Sequence, residues 1–417
     1  KMKKKNKLVL VESEMLGPKG HFLDNLIETT NSFKSRNQIL WILNKKFSHN
    51  GTYLPKKIKI YKKITSNIFK RKQNKFLYIL EELTLFLLNL FNIFYYFFYF
   101  IKEKKISNYL KALTSNYFLL PRYFSSFFKI YKKLNLSKND HIFFQTARRK
   151  DMALVNFLIK IDDNHPKFHI RVMLPPKKRF KGFFYYLKQI EKEIIHKKVH
   201  FYLWSDYNYK LFLKNSKSKN GIHKSNIPWS FYKRKNKNKD HVIGFMGDAR
   251  RARGFNHLPE LIKILNKKKN SYKFIIQFSK ISDDLLIVRN KLYSMAKKNK
   301  KIIIIEKYCD YQEFRNILKK IDIMPIIHKS QEINKVTSGT MYSCVSNQIP
   351  TVIPIGTKFM ADILKYKSYE KAGNLNEFAD KINQISRNYN LYLKNVKSNS
   401  RVLYNILKKD PLKINIK

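Results

Sequence analysis

Short apolar runs alternate with amphipathic stretches along most of the 417-residue chain, and this alternation is what most limits its possible folds. The pattern indicates parallel strands joined by crossover helices, because a strand buried on both faces reads as a continuous apolar run. The expected strands of the first half are residues 8–12, 38–43, 57–61, 141–145, 168–173 and 200–203. Those of the second half are 241–246, 272–277, 301–305, 322–327 and 350–354. We therefore predict an α/β fold.

A polar, Lys- and Asn-rich segment, residues 213–239, separates the two sets of strands. Its composition is typical of a domain boundary. We expect one Rossmann-like domain at 1–225, a second at 236–395 and a helical tail at 396–417. Two such halves predict a cleft between them, with ligands bound outside the carboxyl ends of the strands.

The net charge of +57, from 86 Lys+Arg and 29 Asp+Glu, invites a nucleic-acid interpretation. However, the chain is rich in Lys, Asn, Ile, Phe and Tyr, whose codons are AT-rich, and its lysines are spread along its whole length. No helix-turn-helix, zinc-finger or RRM-like signature is present. The charge is therefore better explained by codon bias, and nucleic acid is not an expected partner.

The two cysteines, Cys309 and Cys344, stand outside any CxxC pair, which indicates a reducing compartment. The apolar run after the basic start of the chain, 8–11, is too short for a secretory signal, so we expect a cytoplasmic protein. Residues 83–101 are uncharged and could span a bilayer, lie in the interface or form a buried helix. Peripheral contact with anionic lipid at the inner face of the membrane is one role open to this segment.

The first strand is followed by a loop with Gly17 and Gly20, and then by His21 at the expected start of a helix. Glycines let a backbone approach a ligand, and the helix start favours anions or sugar hydroxyls. An ordinary loop with a capping histidine has the same pattern. Thr146, in the loop 145–151 after another first-half strand, is a second candidate contact for a sugar or acceptor.

The second half opens with a strand that ends at Gly247, followed by a loop with Arg250, Arg251, Arg253 and Gly254. Guanidinium groups at the carboxyl end of a strand are well placed to bind a diphosphate bidentately. The alternative is a solvated basic loop. Arginines in a lysine-dominated chain favour the functional interpretation.

A third candidate is the stretch Thr337-Ser338-Gly339-Thr340, placed before an expected helix. Its hydroxyls and free N–H groups could bind a phosphate, or Ser338 could be a plain N-cap. No Asp-x-Asp motif is present, and the pairs Asp162-Asp163 and Asp283-Asp284 are typical of solvated positions. We therefore expect neither a metal site nor a cofactor.

The order of these pieces resembles a GT-B glycosyltransferase, in particular the large family 4 group. The likeness covers nearly the whole chain and is most specific over residues 241–364. The family's Gly-rich first loop is matched by 17–21, and its basic loop at the start of the second domain by Gly247, Arg250, Arg253 and Gly254. Its Ser-Gly before a helix and its Gly-x-Pro-Val-Val strand are similar to Ser338-Gly339 and to the stretch 350–353.

Three positions depart from the family pattern. Ser343 stands where the family usually has the glutamate that holds the donor ribose, Gln348 replaces a glycine, and Lys335 falls on the upstream glutamate of the motif. Ser343 is thus only a weak ribose candidate. These departures keep a second hypothesis open, a catalytically inactive GT-B-like scaffold that binds a glycan or a protein.

The resemblance implies transfer of a sugar from a nucleoside diphosphate donor to a glycan or lipid-linked acceptor in cell-envelope polysaccharide or glycolipid synthesis. It also implies retention of configuration without a metal. Arg250, Arg253, Gly247, Ser338, Gly339 and Thr340 would bind the diphosphate, with Gly17, Gly20, His21 and Thr146 across the cleft near the sugar. No residue stands out as a general base, so the catalytic residues are not assigned.

Overall fold

The computed structural model describes residues 5–13, 15, 21–47, 54–55, 58–64, 121–173, 181–229, 231–233, 240–267, 272–279, 281–328, 338–357 and 363–416. The chain forms two compact units. The first comprises Lys1–Asn226 and Pro411–Lys417, and the second comprises Ile227–Asp410. The division lies within the polar segment 213–239.

The first unit contains β1 Lys7–Glu12, α1 His21–Phe33, β2 Gln38–Asn44, β3 Lys59–Ile64, α2 Pro121–Leu134, β4 His141–Phe144, α3 Arg149–Ile161, β5 Lys167–Val172, α4 Lys181–Gln189, α5 Glu191–Ile195, β6 Val199–Leu203, α6 Asp206–Asn215 and β7 Ile222–Lys224. Its strands form a parallel sheet in the order β3-β2-β1-β4-β5-β6-β7. This is a doubly wound order that reverses between β1 and β4, which is where such sheets bind ligands.

The two faces of this sheet differ in chemistry. One face is apolar and packs in a single core with α2 and α3, through residues such as Val9, Phe144 and Ile170. The strand positions that alternate with these carry buried polar and aromatic side chains, including His141, His169, Arg171, His200 and Tyr202. Because successive side chains of a strand point to opposite faces, the polar residues form rows across neighbouring strands.

The second unit contains β8 Val242–Met246, α7 Leu258–Lys267, β9 Lys273–Phe278, α8 Leu286–Lys298, β10 Ile302–Glu306, α9 Tyr311–Lys320, β11 Met324–Pro325, α10 Gly339–Ser346, β12 Thr351–Pro354, β13 Tyr369–Ala372, α11 Leu375–Arg387 and α12 Tyr389–Lys408. The last helix, α13 Pro411–Asn415, belongs to the first unit. Two parallel three-stranded sheets have the orders β10-β9-β8 and β11-β12-β13. A parallel bridge between Ile243 and Ile323 joins them. The combined order again reverses at its centre, between β8 and β11.

Local sequence explains where helix α9 begins. Helix α9 begins after Asp310, whose Oδ1 accepts a hydrogen bond from the backbone N–H of Glu313 at 2.8 Å. In return, Glu313 Oε2 accepts one from the backbone N–H of Asp310 at 3.2 Å. This capping box satisfies two donors that a helix start would otherwise leave unpaired.

Some expectations from the sequence are wrong in detail. The expected boundary between residues 395 and 396 falls inside α12, which belongs to the second unit, so no separate tail begins there. The short strands β7 and β13 were not predicted, and the strand expected at 322–327 is confined to Met324–Pro325. Residues 83–101 lie outside the described residues. Within the described ranges, no helix is long and apolar enough to cross a membrane.

Candidate functional site

The carboxyl ends of β8 and β11 form the point in the second unit where the strand order reverses. The main chains run side by side there, because Gly244 donates a backbone hydrogen bond to the carbonyl of Ile323 at 2.9 Å. The loop after β8, residues 247–257, and the residues after β11, 326–328, therefore emerge at the same edge. In doubly wound sheets this crevice is the general ligand site.

Two glycines allow the loop after β8 to fold tightly. Gly247 has φ +122°, and a Cβ there would collide with the guanidinium of Arg253. Gly254 has φ +74°, and its Cβ would lie 2.7 Å from the Cβ of Ile327. Both conformations favour glycine. The loop thus brings the Arg253 side chain back over the end of β8 and its own backbone against the end of β11.

The three arginines of this loop have different surroundings. Arg250 forms an ion pair with Asp248 at 2.5 Å, and Arg251 forms one with Asp284, also at 2.5 Å; both arginines are exposed. Arg253 is partly buried, and among the described residues no side chain or carbonyl accepts a hydrogen bond from its guanidinium. With respect to the described residues, the N–H donors of its planar guanidinium are therefore available to bind a ligand.

The electrostatics of Arg253 are those of a cation that lacks a full counter-charge. Burial lowers the pKa of its guanidinium, the Asp248 carboxylate raises it, and Arg250 lowers it again. An arginine stays charged despite such a shift. A partly buried cation of this kind is stabilised by an anion that can displace its remaining water.

His328 lies beside Arg253 and was not singled out from the sequence. It lies three residues beyond the end of β11, it is partly buried, and its ring has no hydrogen-bond partner among the described residues. Burial, together with the nearby charge of Arg253, lowers its pKa to about 4. The imidazole is therefore neutral at physiological pH.

Helix α10 begins at the same edge of the sheet, since it leads from β11 to β12 and parallel strands need such a crossover. Ser338 is its N-cap, and its hydroxyl accepts a hydrogen bond from the backbone N–H of Met341 at 3.4 Å. The backbone N–H groups of Gly339 and Thr340 have no intrahelical partner at this end. The N-cap is therefore present, and the described residues supply no acceptor for these two N–H groups.

Ser343 is 5% exposed and lies within α10. Its carbonyl accepts hydrogen bonds from the side chain of Asn347 at 2.8 Å and the backbone of Asn347 at 3.0 Å. Gln348 has φ +58°, the left-handed region that suits the glycine usual in family 4. Lys335 and Thr337 lie outside the described residues.

In the first unit, the described candidate Thr146 follows β4, at the reversal point between β1 and β4. Helix α1 begins at His21, as expected, but the His21 side chain and the loop with Gly17 and Gly20 lie outside the described part of the chain. Thr146 is buried, and its hydroxyl lies 3.7 Å from the sulfur of Met173. Next to it, both amide atoms of Gln145 are buried and have no hydrogen-bond partner among the described residues.

The chain is similar to known proteins in its fold. No family model matches the chain, and no curated protein does. Solved structures do match, among them a glycosyltransferase from Rickettsia africae at 14% identity, covering 99% of this chain and 98% of that one with a TM-score of 0.56. A sucrose-phosphate synthase from Thermosynechococcus elongatus matches at 8% identity, 97% and 95% coverage and a TM-score of 0.57.

A third match is Anabaena HepE in complex with UDP and glucose, at 11% identity, 98% and 97% coverage and a TM-score of 0.56. These structures share two Rossmann-like units over nearly the full length of both chains. The chain has the GT-B fold. In this GT-B protein, Gly247, Arg253, Gly254, Ile327 and His328 converge, whereas Thr146 belongs to the other unit.

Acidic and metal-binding side chains are also relevant to GT-B chemistry. Within the described residues, no group of three or more His, Cys, Asp or Glu side chains is arranged to hold a metal ion. Asp162 instead accepts a hydrogen bond from the Tyr131 hydroxyl at 2.6 Å, and Asp284 pairs with Arg251. Both aspartates thus have structural partners.

Proposed function

We propose that this GT-B protein is a glycosyltransferase that moves a sugar from a nucleoside diphosphate donor to a glycan or lipid-linked acceptor. One observation carries the proposal. A partly buried arginine, Arg253, has no hydrogen-bond acceptor among the described residues and lies at the reversal point of a doubly wound sheet. This point of the fold is where a diphosphate is expected to bind.

The chemistry that Arg253 supports is departure of a diphosphate. As the bond between the sugar and the diphosphate breaks, negative charge grows on the leaving oxygen. A cation and backbone N–H groups already fixed at that position stabilise the transition state more than the bound donor. Arg253 supplies the cation, and the open N–H groups of Gly339 and Thr340 supply the helix N-terminus.

Arg250 has a different role from Arg253 in the proposed diphosphate site. Its pair with Asp248 neutralises its charge, so it can reach a phosphate only if that exposed ion pair opens. Exposed pairs contribute little free energy, about 0–1 kcal/mol, so opening costs little. We therefore assign Arg250 to the outer part of the diphosphate site and Arg253 to the inner part.

Nucleotide choice is guided by two matching structures. HepE was solved with UDP and glucose, and another matching structure, from E. coli, was solved with UDP-2-fluoro glucose; the latter has 9% identity and a TM-score of 0.52. UDP-sugars are therefore the first donors to test here. Membership of family 4, retention of configuration, independence of metal, and a cytoplasmic place at the membrane face in envelope polysaccharide or glycolipid synthesis are further parts of the proposal.

The test is a thermal-shift screen of the full chain with UDP, GDP, ADP and CMP and their common sugar conjugates, without divalent metal. A ligand that binds only the folded state raises the melting temperature by mass action. We expect a rise with one nucleotide family, and no rise in the Arg250→Ala/Arg253→Ala double variant, which should melt cooperatively by itself. An unchanged shift in that variant contradicts the role of these arginines.

The second candidate is the non-catalytic scaffold. It is favoured by Ser343, which leaves no carboxylate at the position where family 4 holds the ribose. Turnover distinguishes the two functions. Release of nucleotide from a bound sugar nucleotide excludes the scaffold, whereas binding without release under any acceptor condition supports it.

A further inference from the structure

Two hydrogen-bonding groups without partners meet at the proposed donor site. The guanidinium of Arg253 and the imidazole of His328 are both partly buried, and neither has a hydrogen bond to the described residues. The backbone at Gly254 packs directly against Ile327. Arg253, which precedes Gly254, and His328, which follows Ile327, are therefore neighbours. Arg253 comes from the β8 side of the reversal point and His328 from the β11 side.

Among the described residues, Arg253 is the charged group that acts on His328, whereas Asp248 and Arg250 act on Arg253. The preceding residues of its own segment, Ile326 and Ile327, are apolar and buried. Burial, followed by the charge of Arg253, lowers the pKa of the imidazole to about 4, and no carboxylate among the described residues counters these two effects.

We propose that His328 is an anion-binding residue of the donor site, and that it takes up one proton from solvent when a diphosphate occupies the space beside Arg253. This inference rests on the proposed function. A diphosphate changes the balance of charge around the ring: it neutralises Arg253 and adds negative charge next to the imidazole. Both effects favour the imidazolium, which then donates to phosphate oxygens as a charged partner.

Proton uptake has a consequence that equilibrium binding can measure. If the bound complex holds a proton that the free protein lacks, affinity must increase as the pH falls, by up to about tenfold per pH unit. This slope is found only between the pKa values of His328 in the free and bound states. A neutral histidine that merely packs against Arg253 gives no such slope.

The experiment is calorimetric titration of the full chain with UDP-glucose at about pH 6 and about pH 8, in two buffers with different ionisation enthalpies. A sugar nucleotide is chosen because both of its phosphates are esterified. Free UDP has a terminal phosphate that itself titrates near about pH 6. The difference in heat between the buffers gives the number of protons taken up per ligand bound.

His328→Gln is the test variant and His257→Gln the matched control, because His257 is an exposed histidine of the loop after β8. For the wild type and the control we expect proton uptake at the lower pH and roughly tenfold tighter binding than at the higher pH. For His328→Gln we expect binding that is nearly independent of pH, with no proton uptake. The amide keeps a neutral hydrogen-bonding group, so binding at the higher pH should change little.

The results of this titration distinguish the proposed role of His328 from the proposed donor site. Binding of UDP-glucose without proton uptake, or with the same uptake in His328→Gln, overturns the role of His328 and leaves the glycosyltransferase proposal standing. If UDP-glucose produces no heat, the titration is repeated with GDP-mannose and ADP-glucose. Absence of binding by all three, in protein that melts cooperatively, overturns the donor site itself and the inference with it.

Discussion

The side chain of Asn415 donates a hydrogen bond to the hydroxyl of Tyr202 at 3.1 Å, although the whole second unit separates these residues in sequence. The same amide lies 3.2 Å from Nε2 of His223. Leu412 and Ile416 beside it are 2% and 0% exposed. Residues 411–416 therefore pack as part of the first unit.

This contact predicts that Asn415→Ala destabilises the first unit. Loss of two hydrogen bonds that involve buried or partly buried partners should lower the free energy of unfolding by about 1–3 kcal/mol. Urea unfolding followed by tryptophan fluorescence measures the change. Asn405→Ala, at an exposed position of α12, is the control and should stay within about 0.5 kcal/mol of wild type.

Acid should destabilise the first unit through a row of histidines on its polar sheet face. His141 Nδ1 lies 2.9 Å from His169 Nε2, His169 Nδ1 lies 2.9 Å from the Tyr202 hydroxyl, and His200 Nδ1 lies 3.2 Å from His223 Nε2. Burial, followed by neighbouring positive charge, lowers the pKa of His141 and His200 to about 4. Burial, followed by the adjacent imidazoles, also holds the pKa of His169 well below its ordinary value.

Because these pKa values are lower in the folded state, the unfolded chain binds more protons below the ordinary histidine pKa. Stability is therefore complete above about pH 6.5 and decreases as the pH falls towards 4, by up to roughly 3 kcal/mol per histidine. Urea unfolding at about pH 7.5 and about pH 5 measures this loss. His200→Gln should reduce the difference between the two pH values, and equal stability at both would contradict the assignment.

Gln348→Gly should stabilise the protein. Residues 344–349 end α10 with a Schellman motif, in which Ile349 donates to the carbonyl of Cys344 at 2.8 Å and Gln348 to that of Val345 at 3.2 Å. The motif places Gln348 at φ +58°, where a side chain costs about 1 kcal/mol relative to glycine. We expect a gain of about that size in thermal unfolding. Lys409→Gly, at a helix end with φ −99°, should give no gain.

The sequence predicts most of the strands, because a strand buried on both faces needs an apolar run of its own. It misses β7, whose residues Ile222–Lys224 contain one apolar side chain and are placed by pairing with β6. Arg250 and Arg253 have equivalent local sequence, and only the folded loop pairs one with Asp248 and brings the other against Gly247. His328 could not be identified because its role depends on a contact between two distant segments, at Gly254 and Ile327.

Arg253→Met should weaken binding of a sugar nucleotide without loss of stability. A hydrogen bond to a charged group contributes about 1.5–3 kcal/mol, so we expect a roughly 10- to 100-fold increase in Kd. Arg251→Met is the matched control, because Arg251 lies in the same loop but pairs with Asp284. Calorimetric titration of both variants measures the difference, and similar losses in the two would indicate a general effect of charge.

We propose that the second unit holds a nucleotide-sugar site where β8 and β11 end. Hydrogen exchange with and without the best ligand of the thermal-shift screen tests this directly, since bound ligand slows exchange of the backbone amides it covers. We expect slower exchange in residues 247–257 and at the start of α10, and unchanged exchange in β5 and β6 of the first unit. A folded protein in which no sugar nucleotide alters exchange at 247–257 would contradict the presence of this site.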